Sequence, residues 1–364
     1  MARFLPYFVN DDRNYLRRLK RRARITNDPF DLPNQRFIEL FRFDKRTMRE
    51  VIDMIEPHMM PGQRGHRISR QIRILAAIRF LACGSYQRCV GQDCFINLSQ
   101  SQISIAVNEV THVIERHLNH FINFPSQEEY PAIKRTVMER FNLPGVIGFV
   151  DGTHVAILNP GRDREHQYLN RKGYHSKNVQ LICGPNNRVY AVNAAHGSAS
   201  HDAFIWRTSN INTMLQMRLT EDGDRNSWLL GDSGYPLMPY LLTPFPHPPE
   251  NTPESRFNNA HRRARSCIEQ CIGILKARFR CLLSERALRY SPPKAGTIIN
   301  ACVILHNIMV ERDLPLPPEV DILNAIYQHQ ADEDDDHPDH QIEAPENRAA
   351  AAQNRARIAR NYFR

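Results

Sequence analysis

The most restrictive feature of this chain is a change of texture at Pro144. From there to Leu230 it carries short apolar, β-branched runs separated by turn residues: Val146–Val150, His154–Leu158, Asn178–Cys183, Arg188–Ala194 and Trp228–Leu230. Runs of that length and make-up read as strands. Gly184-Pro185-Asn186-Asn187 is a tight turn, so the third and fourth runs form a hairpin. Seven prolines between Pro236 and Pro253 make that span an irregular loop. Two helical stretches follow, roughly Ser255–Leu283 and Lys294–Asp313. Strands first and helices last predict an α/β domain over residues 144–313, with flanking helices around a mixed sheet.

Upstream the pattern is helical. Phe37–Ile55 is amphipathic, with Phe37, Leu40, Phe41, Met48, Val51 and Ile55 on one side, and Pro57, Pro61 and Gly62 close it. Residues 66–125 read as a separate all-α domain of three helices: Gln71–Ala82, a short segment Tyr86–Phe95, and Gln100–Leu118 with Ser99 as its N-cap. A short helix, a turn and a polar-faced helix give the outline of a helix-turn-helix. A plain three-helix bundle fits equally, because Gln100–Leu118 offers no Arg or Lys before Arg116.

Charge separates the two ends. Arg17, Arg18, Lys20, Arg21, Arg22 and Arg24 crowd eight positions, as a solvated helix end or as a phosphate-contacting, nuclear-import arm. Residues 1–65 are therefore read as a basic arm and helix. The segment Gln330–Asn347 holds eight acids and no Lys or Arg; without those eight the formal charge of +9 becomes +17. A body so basic suggests a polyanionic partner, and the dominance of Arg favours phosphate. Residues 314–364 are expected to be a disordered acidic linker and Arg-studded tail. Hydrophobic residues make up 41% of the chain, which excludes a disordered protein, a collagen or a rod. No run approaches the ~20 apolar residues of a membrane span. Eight cysteines without a C-x-x-C pair predict neither a disulfide framework nor structural zinc. The expectation is a soluble intracellular protein with no membrane partner.

Three acids stand out by position. Asp151 ends the run VIGFV and precedes Gly152; Asp232 ends WLLG and precedes Ser233-Gly234. A carboxylate at the C-terminal end of a strand stands where sheet enzymes place their sites, although one such Asp could simply cap a turn. Glu269 lies on a helix with Ile268, Ile272, Leu275 and Phe279 as its apolar stripe, beside a column holding Arg262, Arg265, Lys276 and Arg280. It could pair with Arg265 one turn away or hold a metal beside a phosphate-binding face. Two strand-end Asp and a helical Glu suit two-metal phosphoryl transfer, which uses hard oxygen ligands around Mg²⁺ or Mn²⁺. Separations of 81 and 37 residues suit a ribonuclease H-like sheet followed by its helix. The reading requires these acids to converge within about 12 Å in the fold.

VIGFVDGTHVAI, NRKGYHSKN, HGSASHDAFIW, WLLGDSGYPL, RFNNAHRRARSCIEQCIGILKARFRCL and NACVILHNIM occur in that order. Together they resemble the Harbinger-type DDE transposases and the nucleases domesticated from them, over roughly Phe37 to Val310. The resemblance implies a ribonuclease H-like fold, a divalent metal, and nuclease chemistry on DNA. It places the catalytic acids on Asp151, Asp232 and Glu269, and a further metal ligand on Asp202. Arg171 and Lys172 of the second motif, with Arg265, Lys276 and Arg280 of the fifth, are the DNA-binding expectation. A Myb-like DNA-binding partner is implied, as is work in the nucleus with the cytoplasm as a second compartment; a homo-oligomer is compatible. Two departures stand: Cys183-Gly184 occupies a place where relatives often carry Asp, and Ser104-Ile105 replaces a common Ser-Arg pair.

Two rivals remain. His196, His201 and Asp202 suggest the His-Asp centre of helical phosphohydrolases, but a strand and Gly197-Ser198 precede them rather than a helix. The other is a catalytically silent, domesticated DNA-binding or protein-interaction factor, which would share the charge and the fold.

Overall fold

The computed structural model describes residues 15, 18–20, 22, 26–60, 68–333 and 345–364. Arg17, Arg21 and Arg24 of the basic arm, Pro61 and Gly62, and most of the acidic segment lie outside them. The chain divides into two compact units, one of residues 1–119 with 278–281 and 311–314, the other holding the rest.

The first unit is helical. Where one helix is expected over Phe37–Ile55, there are two, α1 (Asn34–Phe41) and α2 (Lys45–Ile55). Arg42 adopts a left-handed φ of 68°, and Asp44 restarts the helix by accepting from the Thr47 amide at 2.7 Å. Then come α3 (Arg70–Cys83), α4 (Gln87–Gly91) and α5 (Gln100–His117), at the places the sequence predicts. Ser99 and Gln102 form a capping box at the start of α5. Leu75, Ile78 and Leu81 of α3 and Ile103, Val107 and Val110 of α5 are all fully buried, so these helices share one core.

The second unit carries the sheet, after α6 (Tyr130–Phe141). Its strands are β1 (Val146–Ala156), β2 (Ser176–Cys183), β3 (Val189–Asn193), β4 (Trp228–Leu230) and β5 (Leu241–Leu242), in the order β3-β2-β1-β4-β5. The first three pair antiparallel, whereas β4 runs parallel to β1 and β5 to β4. This is the expected ribonuclease H-like mixed sheet. Two details differ from expectation. Val146–Val150 and His154–Leu158 are not two strands: β1 runs through Asp151-Gly152, which pair with Leu181 and Gln180 of β2. A two-residue strand, β5, also forms inside the proline-rich span, too short for any sequence pattern to reveal.

Five helices follow or interrupt the sheet: α7 (Glu165–Tyr168), α8 (Asp202–Arg207), α9 (Asn210–Thr220), α10 (Pro253–Arg278) and α11 (Pro292–Glu311). Trp206 of α8 and Leu215 of α9 join Ile147, Ile182, Leu229 and Leu241 in one buried cluster. On the other side, α11 holds the edge of the sheet. Its Asn307 accepts from the Val189 amide at 2.9 Å and donates to the carbonyls of Val189 at 2.7 Å and Phe121 at 2.8 Å.

The tail departs from expectation. Instead of disorder there are α12 (Glu319–Glu333) and α13 (Pro345–Tyr362). Ile322 and Ala325 of α12 are buried, and Ile322 packs with Ile274 and Ala277 of α10. Ala351, Ile358 and Ala359 bury one side of α13. There Arg355 donates to the carbonyls of Thr243 and Pro244, each at 2.8 Å, and covers the Phe245 ring. An apolar stripe at helical spacing outweighs the charge of the flanking segment. Among the described residues, no helix is long and apolar enough to cross a membrane.

Asn307 is fully buried and makes three hydrogen bonds to backbone. Asn307→Leu should lower unfolding free energy by about 3 kcal/mol, because it strands buried amide and carbonyl groups. Urea denaturation checks this, and a change under ~1 kcal/mol would show that the edge strand does not depend on α11.

Candidate active site

The parallel pairing of β1 with β4 ends at Phe149 opposite Leu230. Asp151 and Asp232 each lie two residues further on, so the same step past the last pair delivers both carboxylates to the same end of the sheet. Asp151 is fully buried and Asp232 half-buried. The Gly234 amide fixes Asp232 Oδ1 at 3.0 Å.

Asp202, the first residue of α8, is 6% exposed. A carboxylate there meets the positive end of the helix dipole. Asn178 Nδ2 on β2 donates to its Oδ1 at 2.8 Å. The same carboxylate rests on the backbone of Gly152: a Cβ on that glycine would stand 2.6 Å and 2.9 Å from its two oxygens. Gly152 is therefore a space requirement of Asp202, and it allows the strand to pass beneath it.

Tyr235 lies five residues past Leu230, the end of β4, and is buried. Burial and then the charges of Asp202, Asp151 and Asp232 push its phenol well above its ordinary pKa. Its hydroxyl accepts from Gln180 Nε2 at 3.4 Å. The three carboxylates that raise its pKa come from three chain segments.

The buried charge of Asp151 is compensated. Arg265 Nη2 of α10 donates to Asp151 Oδ2 at 2.6 Å, and His329 Nε2 of α12 lies 3.6 Å from the same oxygen. A carboxylate without solvent needs such partners, since the desolvation penalty of an unpaired ion is several kcal/mol. Glu269, half-buried on α10, accepts from Gln330 Nε2 at 3.1 Å. Two consecutive residues of α12 thus reach Asp151 and Glu269. The alternative pairing of Glu269 with Arg265 is not what forms; Arg265 turns to Asp151 instead.

Among the described residues, no three His, Cys, Asp or Glu side chains stand together at metal-holding distance. The chemistry of the site nevertheless fits a hard cation. Its donors are carboxylate oxygens, and beside them Asn178 Oδ1 and Thr153 Oγ1 are buried oxygens without a hydrogen-bond partner. Arg265 supplies at Asp151 the positive charge that a cation would supply.

The DNA-facing expectations divide. Arg171 and Lys172 are exposed on the loop after α7. Arg280 is half-buried in a 3₁₀ turn, Arg280–Leu282. Lys276 is a correction: it is 1% exposed, and its Nζ donates to the His154 carbonyl of β1 at 3.1 Å. The end of α10 is buried on all sides, so helical spacing from Glu269 did not mean a shared solvent face. His329, Gln330, Tyr235 and Asn178 were not singled out by sequence. Tyr235 and Asn178 lie inside the quoted motifs, and His329 completes the spacing Ile322, Ala325, Ile326, His329 in a stretch whose acidic neighbours suggested a linker.

Residues 150–307 match the family described as DDE superfamily endonuclease. The protein named "Putative nuclease HARBI1" of Rattus norvegicus is 34% identical over 287 residues, covering 78% of this chain and 80% of its own. Its Homo sapiens counterpart is also 34% identical, with the same coverage. "Protein ALP1-like" of Arabidopsis thaliana is 23% identical over 295 residues, 76% of this chain and 71% of its own. No solved structure matches the chain.

Lys276→Ala should lower stability by roughly 2–3 kcal/mol, since it removes a buried side chain and its hydrogen bond. The salt dependence of DNA binding should not change. A variant with unaltered unfolding and a shallower salt slope would return Lys276 to the DNA-binding face.

Proposed function

The chain belongs to the Harbinger transposase-derived nucleases of the DDE endonuclease superfamily, and from that premise we propose that it hydrolyses DNA phosphodiester bonds with divalent metal at the Asp151, Asp202, Asp232 and Glu269 site. The observation that supports this reading is that the β1–β4 ladder ends two residues before both Asp151 and Asp232, while Asp202 rests against Gly152, the residue after Asp151. Mg²⁺ or Mn²⁺ held there would activate water for in-line attack and stabilise the leaving oxygen by the two-metal mechanism.

The chain's own residues do the rest. Asp151, Asp232 and Glu269 act as the catalytic acids and ligands, with Asp202 held ready by Asn178 and by the space at Gly152. Tyr235, kept protonated, adds no charge of its own. Arg265 balances the buried charge of Asp151, where a bound cation would supply the same positive charge. Arg171 and Lys172 hold backbone phosphates from the exposed loop. The excess of basic residues draws DNA in by charge. We place this work in the nucleus, with the cytoplasm as a second compartment. A Myb-like partner supplies the sequence selection that the α3–α5 unit, with Ile105 exposed on α5, is poorly equipped to make.

One observation favours the silent-factor reading: a guanidinium already bonds the central aspartate at 2.6 Å. Nicking of supercoiled plasmid separates the two. With Mg²⁺ or Mn²⁺ the protein should nick, and with chelator it should not. Asp151→Asn and Glu269→Gln should each reduce the rate by roughly a thousandfold or more while DNA affinity persists. Binding without nicking in either metal, or full activity of Glu269→Gln, would make the protein a DNA-binding factor instead.

A further inference from the structure

A pocket of about 150 Å³ opens at Asn178, the partner of Asp202, and is lined also by Leu169, Arg171, Lys172, His154, Ala199 and His201. A volume of that order holds about five waters or one six-membered ring, and is too little for a base pair.

The pocket is preformed. On one side, an antiparallel bridge between Leu169 and His175 closes the loop that carries Arg171 and Lys172. Asn170 Oδ1 accepts from the Lys172 amide at 3.0 Å and the Tyr174 amide at 3.1 Å, and Gly173 takes the left-handed φ of 79° that the turn needs. On the other side, the Ala199 amide donates to the Gln167 carbonyl at 3.2 Å and the Ser198 amide to the Ser176 carbonyl at 3.1 Å. Asn178 ties this wall to the acid site: its Nδ2 donates both to the Ser200 carbonyl at 3.0 Å and to Asp202 Oδ1 at 2.8 Å. Whatever fills the pocket therefore lies against Asn178, the partner of Asp202.

The lining has two kinds of chemistry. Arg171 and Lys172 stand exposed, as cations that suit a phosphate. The imidazoles of His154 and His201 and the 44%-exposed Leu169 suit the flat face of a base. We propose that this pocket receives one extruded nucleotide of the DNA strand beside the scissile bond, its phosphate on Arg171 and Lys172 and its base between the two histidines and Leu169. The inference rests on the nuclease reading of the neighbouring acids and adds a substrate class: DNA with an unpaired, or easily unpaired, nucleotide next to the cut. Such a nucleotide is the least costly to take out of the stack.

The test is competition binding by the full chain carrying Asp151→Asn, with three duplexes: fully paired, with a one-nucleotide bulge, and with the same bulge made abasic. The bulged duplex should bind about tenfold tighter than the paired one, an effect within the range of a stacked base. The abasic bulge, as flexible but without a base, should lose that preference. Ala199→Trp, which fills the exposed lining of the pocket, should abolish the preference and leave affinity for paired duplex unchanged; Ala199→Ser should keep it. Equal affinity for bulged and abasic-bulged DNA, or a preference that survives Ala199→Trp, overturns the proposal. Failure of the plasmid-nicking assay with the bulge preference intact would instead remove the nuclease reading and leave the pocket as a nucleotide-binding site.

Discussion

The parallel ladder between β1 and β4 is the constraint on which the site depends. It stops at Phe149 and Leu230 while β1 continues to Ala156 against β2. Past Leu230 that side of β1 is met not by a long strand but by Lys276 Nζ at the His154 carbonyl, 3.1 Å, and by the Leu288 amide at the Ala156 carbonyl, 2.8 Å. Asp151 therefore emerges beside Asp232 and not beneath another strand. Asn178 of β2 holds Asp202 of α8 from the other side, and Gly152 leaves the space for its carboxylate. A side chain at Gly152 would push Asp202 away, so strand continuity and acid placement are set by one residue.

Gathering carboxylates under a buried sheet edge costs free energy in proportion to their desolvation, and the fold offsets this in three ways. Arg265 bonds Asp151 directly. The α8 N-terminus faces Asp202. α12 lays His329 and Gln330 over Asp151 and Glu269. α12 is anchored by apolar packing on α10, where Gly273 admits Ile322 and Ile326 at close range. The positive charge at Asp151 thus comes from Arg265 of α10, and His329 of α12 lies 3.6 Å from the same oxygen.

Much of this was legible in the sequence. The β2–β3 hairpin, the N-cap at Ser99 and the Asp151 and Asp232 positions follow from local patterns that the tertiary structure preserves. The misreadings have physical causes. Asp151-Gly152 looks like a turn because Asp-Gly favours one, yet here glycine serves a close approach within a strand. Lys276 looked solvent-facing because periodicity defines one apolar stripe, whereas the end of α10 is enclosed on every side and Lys276 satisfies a strand carbonyl. α12 and α13 were hidden by the composition of the acidic stretch between them, although Ala351, Arg355, Ile358 and Ala359 repeat at helical spacing. Arg265 could not be assigned to Asp151 by any local rule, since 114 residues separate the two.

The proposed nuclease activity requires four acids from four segments to serve one metal centre. Iron-directed self-cleavage tests it most directly. Fe²⁺ can occupy a Mg²⁺ site, and with ascorbate and peroxide it cuts the polypeptide backbone near where it is held. Scission should cluster beside Asp151-Gly152, Asp202, Asp232 and Glu269, be suppressed together by excess Mg²⁺ and be lost together in Asp151→Asn. Cuts beside only one of these residues, or cuts scattered without relation to them, would contradict it.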